Sequence, residues 1–386
     1  MEIKTFQFLK NKGWSVEEFP DLDSENTLVL IFAAPEFMDF QDPIIQLANF
    51  YSKSKVIGCS TAGEIYGDDL FDHSITVSVV KFAKTSLKIA KAEVSHSKDS
   101  KKTGSLIAEQ LKADDLHSIF ILSDGLNVNG SELVQGLNTA NGNHKLIITG
   151  GLAGDGSDFK KTWTILNNKI LDHYVVAVGF YGSDIHVGHA SKGGWDIFGP
   201  VRRITRSEAN VLYELDYQPA LQLYKEYLGE KASELPSSGL LYPLAINNPE
   251  IHNDTQLVRT ILAIDEKEQS LVFAGDIPTG WYAQLMRANF DRLIDSANEA
   301  GLLANKLMLN DNLKQLGPVL AIDISCVGRR LLLGERTEEE IESTMSALPE
   351  GSTQIGFYSY GELSPFSVGN CELHNQTMTI TTIYET

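Results

Sequence analysis

Gly58-Cys59-Ser60-Thr61-Ala62-Gly63-Glu64-Ile65 and Gly356-Phe357-Tyr358-Ser359-Tyr360-Gly361-Glu362-Leu363 share one pattern, Gly-x-x-x-x-Gly-Glu and then an apolar residue. Each octapeptide closes a stretch that reads strand, helix, strand: residues 28–65 in the first case and 318–363 in the second. His73-Ser74-Ile75-Thr76 opens a strand after the first copy, and His374-Asn375-Gln376-Thr377 opens one after the second. A weaker third echo runs from Ser118 to Ile148 and ends in Thr149-Gly150-Gly151-Leu152-Ala153-Gly154-Asp155. The shared spacing points to an ancient duplication of one strand-helix-strand unit.

Outward from these turns, short apolar runs mark buried strands at Leu28 to Ala33, Lys55 to Ile57, Ile75 to Val80, Ser118 to Leu122, Lys145 to Ile148, Tyr174 to Phe180 and Val319 to Ile324. Helical stretches lie between them, at Pro43 to Tyr51, Thr103 to Leu111, Ser131 to Thr139, Trp281 to Ala300 and Glu338 to Leu348. Alternating strands and helices predict an α/β fold with mixed sheets. The length of 386 residues predicts two domains. The Ser/Pro/Gly-rich stretch around Pro236 places their boundary near residues 215–240, with domains at 27–215 and 216–386.

Composition narrows the function. The formal net charge is −19 and no block of basic residues offsets it, which disfavours nucleic acid and anionic lipid surfaces as partners. No apolar run reaches the roughly 20 residues of a bilayer span, and the N-terminus lacks a signal-peptide pattern. The three cysteines, Cys59, Cys326 and Cys371, form no C-x-x-C pair. A reducing cytoplasmic location is therefore expected.

The turns themselves suit ligand binding. Glycines let backbone approach a ligand closely, and exposed amides after Gly58 or Gly151 suit an anion. Glu64 and Glu362 suit an amine, and Arg329 suits a carboxylate gripped by two parallel hydrogen bonds. Ser60, Thr61, Asp155, His374 and Asn375 complete a polar set around these groups. Tyr358 and Tyr360, two apart in a strand, are expected on one face as pocket walls. The same residues equally suit structural roles, with the glutamates capping turn amides and Arg329 in an internal ion pair. Trp195, among glycines, either covers a pocket or anchors its loop. Ser60 in Gly58-Cys59-Ser60-Thr61-Ala62 narrowly misses the G-x-S-x-G nucleophile pattern, so a serine hydrolase is the enzymatic alternative. The second copy has Tyr358 where Ser60 stands, which argues against a conserved nucleophile and for a non-catalytic protein.

Several of these motifs, in order, resemble the FIST sensory family (F-box and intracellular signal transduction). The N-terminal domain of that family is similar to Gly58 through Glu64, Gly150 through Asp158, and Gly193-Gly194-Trp195 through Gly199-Pro200. Its C-terminal domain is similar to Ser325-Cys326-Val327-Gly328-Arg329, Gly356 through Glu362, and Leu373-His374-Asn375-Gln376-Thr377. The resemblance implies a bacterial ligand-sensing module without its own output domain, taking a small molecule such as an amino acid. For some stand-alone members it implies non-covalent haem, nitric-oxide sensing and control of a partner histidine kinase in a two-component system. Haem needs an axial ligand, and His73, His186, His189 and His374 are the candidates.

Overall fold

Three repeated units build the core of this computed structural model, which describes residues 1–141, 146–250, 256–309, 317–366 and 369–386. Lys145, at the start of one expected strand, lies outside the described residues. In the first unit Thr27–Ala33 runs parallel to Lys55–Ser60, and Ser74–Lys81 lies antiparallel on its other side. The second repeats this with Leu116–Ser123, Ile147–Leu152 and Tyr174–Tyr181. The third uses Leu320–Cys326, Thr353–Ser359 and Met378–Glu385. The weak third echo is thus a full structural repeat.

The strands read as continuous apolar runs because both faces are buried. Leu28, Leu30 and Phe32 meet Phe120, Leu122 and Ile324 in a core common to all three units. Val29 and Ile31 point the other way, onto Ile44 and Leu47 of the helix Asp42–Phe50. Pro43 sits in the first turn of that helix, where its missing N–H leaves no bond unmade.

After its second parallel strand, each unit lends a short strand to a neighbour. Glu64–Tyr66 pairs with Thr353–Ser359, Thr164–Leu166 with Lys55–Ser60, and Gly361–Pro365 with Ile147–Leu152. The exchange closes a ring, so no unit completes its sheet alone.

Register defines the equivalent positions. Gly58, Gly150 and Gly356 lie opposite Ile31, Ile121 and Asp323 in the three parallel pairs. A Cβ at these glycines would stand 2.3, 1.8 and 1.9 Å from the facing carbonyl oxygens, so close strand approach demands glycine. The same register corrects the expected His-x-x-Thr match. His73 corresponds to His173 and Gln376, each left-handed at φ 56, 60 and 59, and Ser74 corresponds to Thr377. His374 lies two residues earlier than that equivalence.

Between the second and third units the chain inserts an antiparallel sheet, running from Asp196–Glu208 to Tyr282–Arg287 and packed on the helix Ala220–Leu228. Residues 215 and 216 fall inside this insert, at the end of Val211–Leu215 and just before Gln218–Pro219. The expected helix from Trp281 to Ala300 is split. Tyr282–Arg287 is a strand, because pairing on both sides and burial of Ala283 and Leu285 override its helical composition. The helix is Phe290–Leu309, with the Asn289 side chain accepting from the Arg292 amide.

Candidate functional site

The two Gly-Glu turns are built alike. Glu64 accepts from the Thr61 hydroxyl and from the amide and hydroxyl of Ser74. Glu362 accepts from the Ser359 hydroxyl and from the amide and hydroxyl of Thr377. Each glutamate ties its turn to the strand that follows the lent hairpin. Both are buried, and burial pushes each carboxyl up to about 8 against the opposing pull of these donors. The second unit has Thr164 at this position, opposite Cys59.

The other polar residues expected at a site also bond within the protein, though the buried Asn375 Oδ1 has no partner. Ser60 is fully buried, and its Oγ accepts from the Trp163 amide at 3.1 Å. Arg329 grips a carboxylate, but it is that of Glu340: Nε donates at 2.6 Å, and the guanidinium also donates to the carbonyls of Gly193 and Leu293. Tyr358 donates to the same Glu340 carboxylate. The strand Thr353–Ser359 ends between Tyr358 and Tyr360, and both rings border the cluster of Ala62, Ile65 and Val327. His374 Nε2 donates to the Ser364 carbonyl, and Asn375 Nδ2 donates to the His374 carbonyl. Trp195 anchors its loop, donating to the Gln376 carbonyl.

Asp155 and Tyr360 stand apart from this set. Asp155 accepts from the amides of Phe159, Lys160 and Lys161, and so shapes the loop that leads to the second lent hairpin. Tyr360 donates to Asp155, and its ring stacks on Phe159 with centroids 4.5 Å apart and planes 15° apart. Burial, then the bond to Asp155, pushes the Tyr360 phenol far up, so it stays a neutral donor.

Clefts open at the carboxyl ends of the parallel strands, where α/β sheets carry their ligands. In the first unit Glu36 and Met38 face Asp155 and Lys160 of the second. In the third, Arg330 and Thr337 face Ala62 and Asp72 of the first. The second unit's cleft is the one the inserted sheet extends: Leu126, Val128 and Leu152 face Phe273 and Gly275 across about 1220 Å³ of space open to solvent. A further lobe lies between Val327, Gly328 and Leu331 of the third unit and Leu240, Ile261 and Ala274 of the insert, about 660 Å³ when the open solvent at its mouth is counted. Phe159, Leu262, Ala274 and Tyr360 line both lobes. The sequence pointed to Tyr360 but not to the insert's contribution, because the stretch from Leu257 to Asp265, which carries Thr260 and Leu262, bears no motif.

Haem held by an expected histidine needs an apolar slot beside that imidazole. His73 is exposed, bonds Glu36, and borders the cleft that holds Lys10, Asp158 and Lys160. His186 stacks on Tyr384. Burial holds His189 and His374 down at about 4, hence neutral, but the Phe366 ring packs edge-on against His374 at 4.9 Å. None of the four lines the apolar lobe, so the residues present do not fit haem bound through them. Among the described residues, no helix is long and apolar enough to cross a membrane.

The FIST N domain matches residues 27–218 and the FIST C domain residues 220–365, so the chain belongs to the FIST family of sensory domains. Uncharacterized protein MJ1623 of Methanocaldococcus jannaschii is 23% identical over 338 residues, covering 80% of this chain. The chain spans 60% of the length of that relative. A cyanuric acid hydrolase structure from A. caulinodans covers 93% of this chain and 89% of its own at 8% identity, with a TM-score of 0.34. That likeness is too slight to carry an argument.

Proposed function

We propose that the chain is a cytoplasmic receptor that binds a small ligand in the two-lobed cleft and passes its occupancy to a separate signalling protein. The observation that carries this is the Phe159–Tyr360 stack. It stands where the second unit, the third unit and the inserted sheet all border one cleft. A ligand there contacts all three at once, and through Tyr360 it bears on the Asp155 loop. A ligand with different affinity for two arrangements of insert and core shifts their balance.

A thermal-shift screen of small molecules, amino acids included, tests the reading. A true ligand raises the unfolding midpoint, and Leu262→Asp, at an exposed position shared by both lobes, abolishes the rise. Hits indifferent to Leu262→Asp overturn the cleft as the site.

The finer haem and nitric-oxide form of sensing has less support, given where the four histidines lie. Titration with haemin decides it: a stoichiometric Soret band lost in a single histidine variant restores that form. A histidine kinase as the partner follows only with it. For the serine hydrolase alternative, buried Ser60 predicts no fluorophosphonate labelling.

A further inference from the structure

The inserted sheet joins the core through two crossings, and one buried side chain holds both. The chain enters the insert through Gly193-Gly194-Trp195, after the strand Ile185–Lys192. It leaves through Ala288-Asn289, before the helix Phe290–Leu309. The Arg329 guanidinium donates to the Gly193 carbonyl at the entry and to the Leu293 carbonyl just beyond the exit, each at 2.7 Å. Its Nε bonds Glu340, which also accepts from Ser325 and Tyr358 on two strands of the third unit. A bonded path thus runs from the core strands through Glu340 and Arg329 to both crossings.

Two further contacts meet at the same place. Gly194 is left-handed at φ 69, and a Cβ there would stand 2.2 Å from the Arg292 carbonyl oxygen, so entry and exit lie directly against each other. Trp195 of the entry, Ala245 and Met286 of the insert and Leu293 of the exit helix cluster with Leu333. Leu333 ends the helix Val327–Leu333, which carries Arg329 and whose Val327, Gly328 and Leu331 wall the apolar lobe. The wall of the lobe and the hold on both crossings belong to one helix. Only a planar fork of donors reaches two carbonyls and a carboxylate at once, and the carboxylate balances the buried charge.

Resting on the cleft reading above, we propose that Arg329 is a positioning residue that pins the inserted sheet to the lobe-wall helix. The two crossings are the hinge, and a ligand that displaces the helix moves the insert with it.

Pulsed electron-paramagnetic-resonance distances in the full chain test the pin. All three native cysteines are buried, so spin labels go to introduced ones. Glu226→Cys with Lys102→Cys spans insert and core, and Lys53→Cys with Lys102→Cys lies within the core, all at exposed positions. Arg329→Lys keeps a charge for Glu340 but cannot reach both carbonyls. It is expected to widen the distance distribution of the insert pair and to leave that of the core pair at the parent width. An unchanged insert pair, or equal widening of both pairs, overturns the pin. Should the lysine variant fail to fold, native-state hydrogen exchange of the parent in rising urea decides. Segments 193–196, 289–294 and 327–333 then lose protection in one common opening, and separate openings overturn the pin. Neither measurement uses a ligand, so loss of the pin leaves the cleft standing as the binding site, and a failed ligand screen leaves the pin.

Discussion

Phe159 and Tyr360 are 201 positions apart in the chain and stack with their ring centroids 4.5 Å apart. Phe159 holds a left-handed φ of 52, a conformation disfavoured for a bulky side chain. The three amides bonded to Asp155 and the Tyr360 hydroxyl on the same carboxylate hold it there. The stack therefore couples a loop of the second unit to a turn of the third at the wall of the cleft.

Tyr360→Phe keeps the ring and removes the bonds to Asp155 and Gly156. It is expected to cost about 1 kcal/mol of stability. The loop around Phe159 should also become more open to proteolysis. Urea denaturation and limited digestion check the two effects, and an unchanged digestion pattern would contradict the coupling.

Arg329 and Glu340 are fully buried partners. Removing one leaves the other charge without its counterpart, so Arg329→Met and Glu340→Leu are each expected to cost about 3–5 kcal/mol. The double variant should cost clearly less than the sum. A double-mutant cycle in urea reads this difference, and simple additivity would show that the pair does not act as one.

Burial raises Glu64 and Glu362 from the usual 4.5 to about 8. Between those values the folded chain keeps protons that the unfolded chain has released. Stability therefore falls as pH rises from about 4.5 to about 8 and levels off above. Glu64→Gln and Glu362→Gln should each flatten this slope, which thermal melts across the window would show. A slope equally steep in both variants would place its origin in other groups.

A Cβ at position 356 would stand 1.9 Å from the Asp323 carbonyl oxygen. Gly356→Ala must push two parallel strands apart, at an expected cost of about 1–3 kcal/mol. Gly58→Ala, equivalent by register, should behave alike. A melting point within a degree of the parent in either variant would refute the close-approach argument.

Much of the fold is legible in the chain because strand and helix follow from local patterns. The runs at Leu28 to Ala33 and Val319 to Ile324 are apolar throughout, and the structure buries both of their faces. Tyr282–Arg287 reads as helix locally because its strand state depends on partners 35 and more residues away. The weak third echo shares the critical glycine at Gly150 but not the glutamate, since Thr164 stands in that place.

The sequence by itself determined the repeating unit, its glycine-bound turns and the membership of both halves in one sensory family. Local sterics and apolar periodicity act over a few residues, so they can be read from a few residues. Only the tertiary structure decided which groups face a cleft. The turn glutamates and Arg329, the most ligand-like residues in one dimension, found partners within the fold. Thr260, Phe159 and Leu262, unmarked in one dimension, came together at a shared wall. Whether a polar side chain is free depends on what the rest of the chain brings to it, and that is settled by long-range packing.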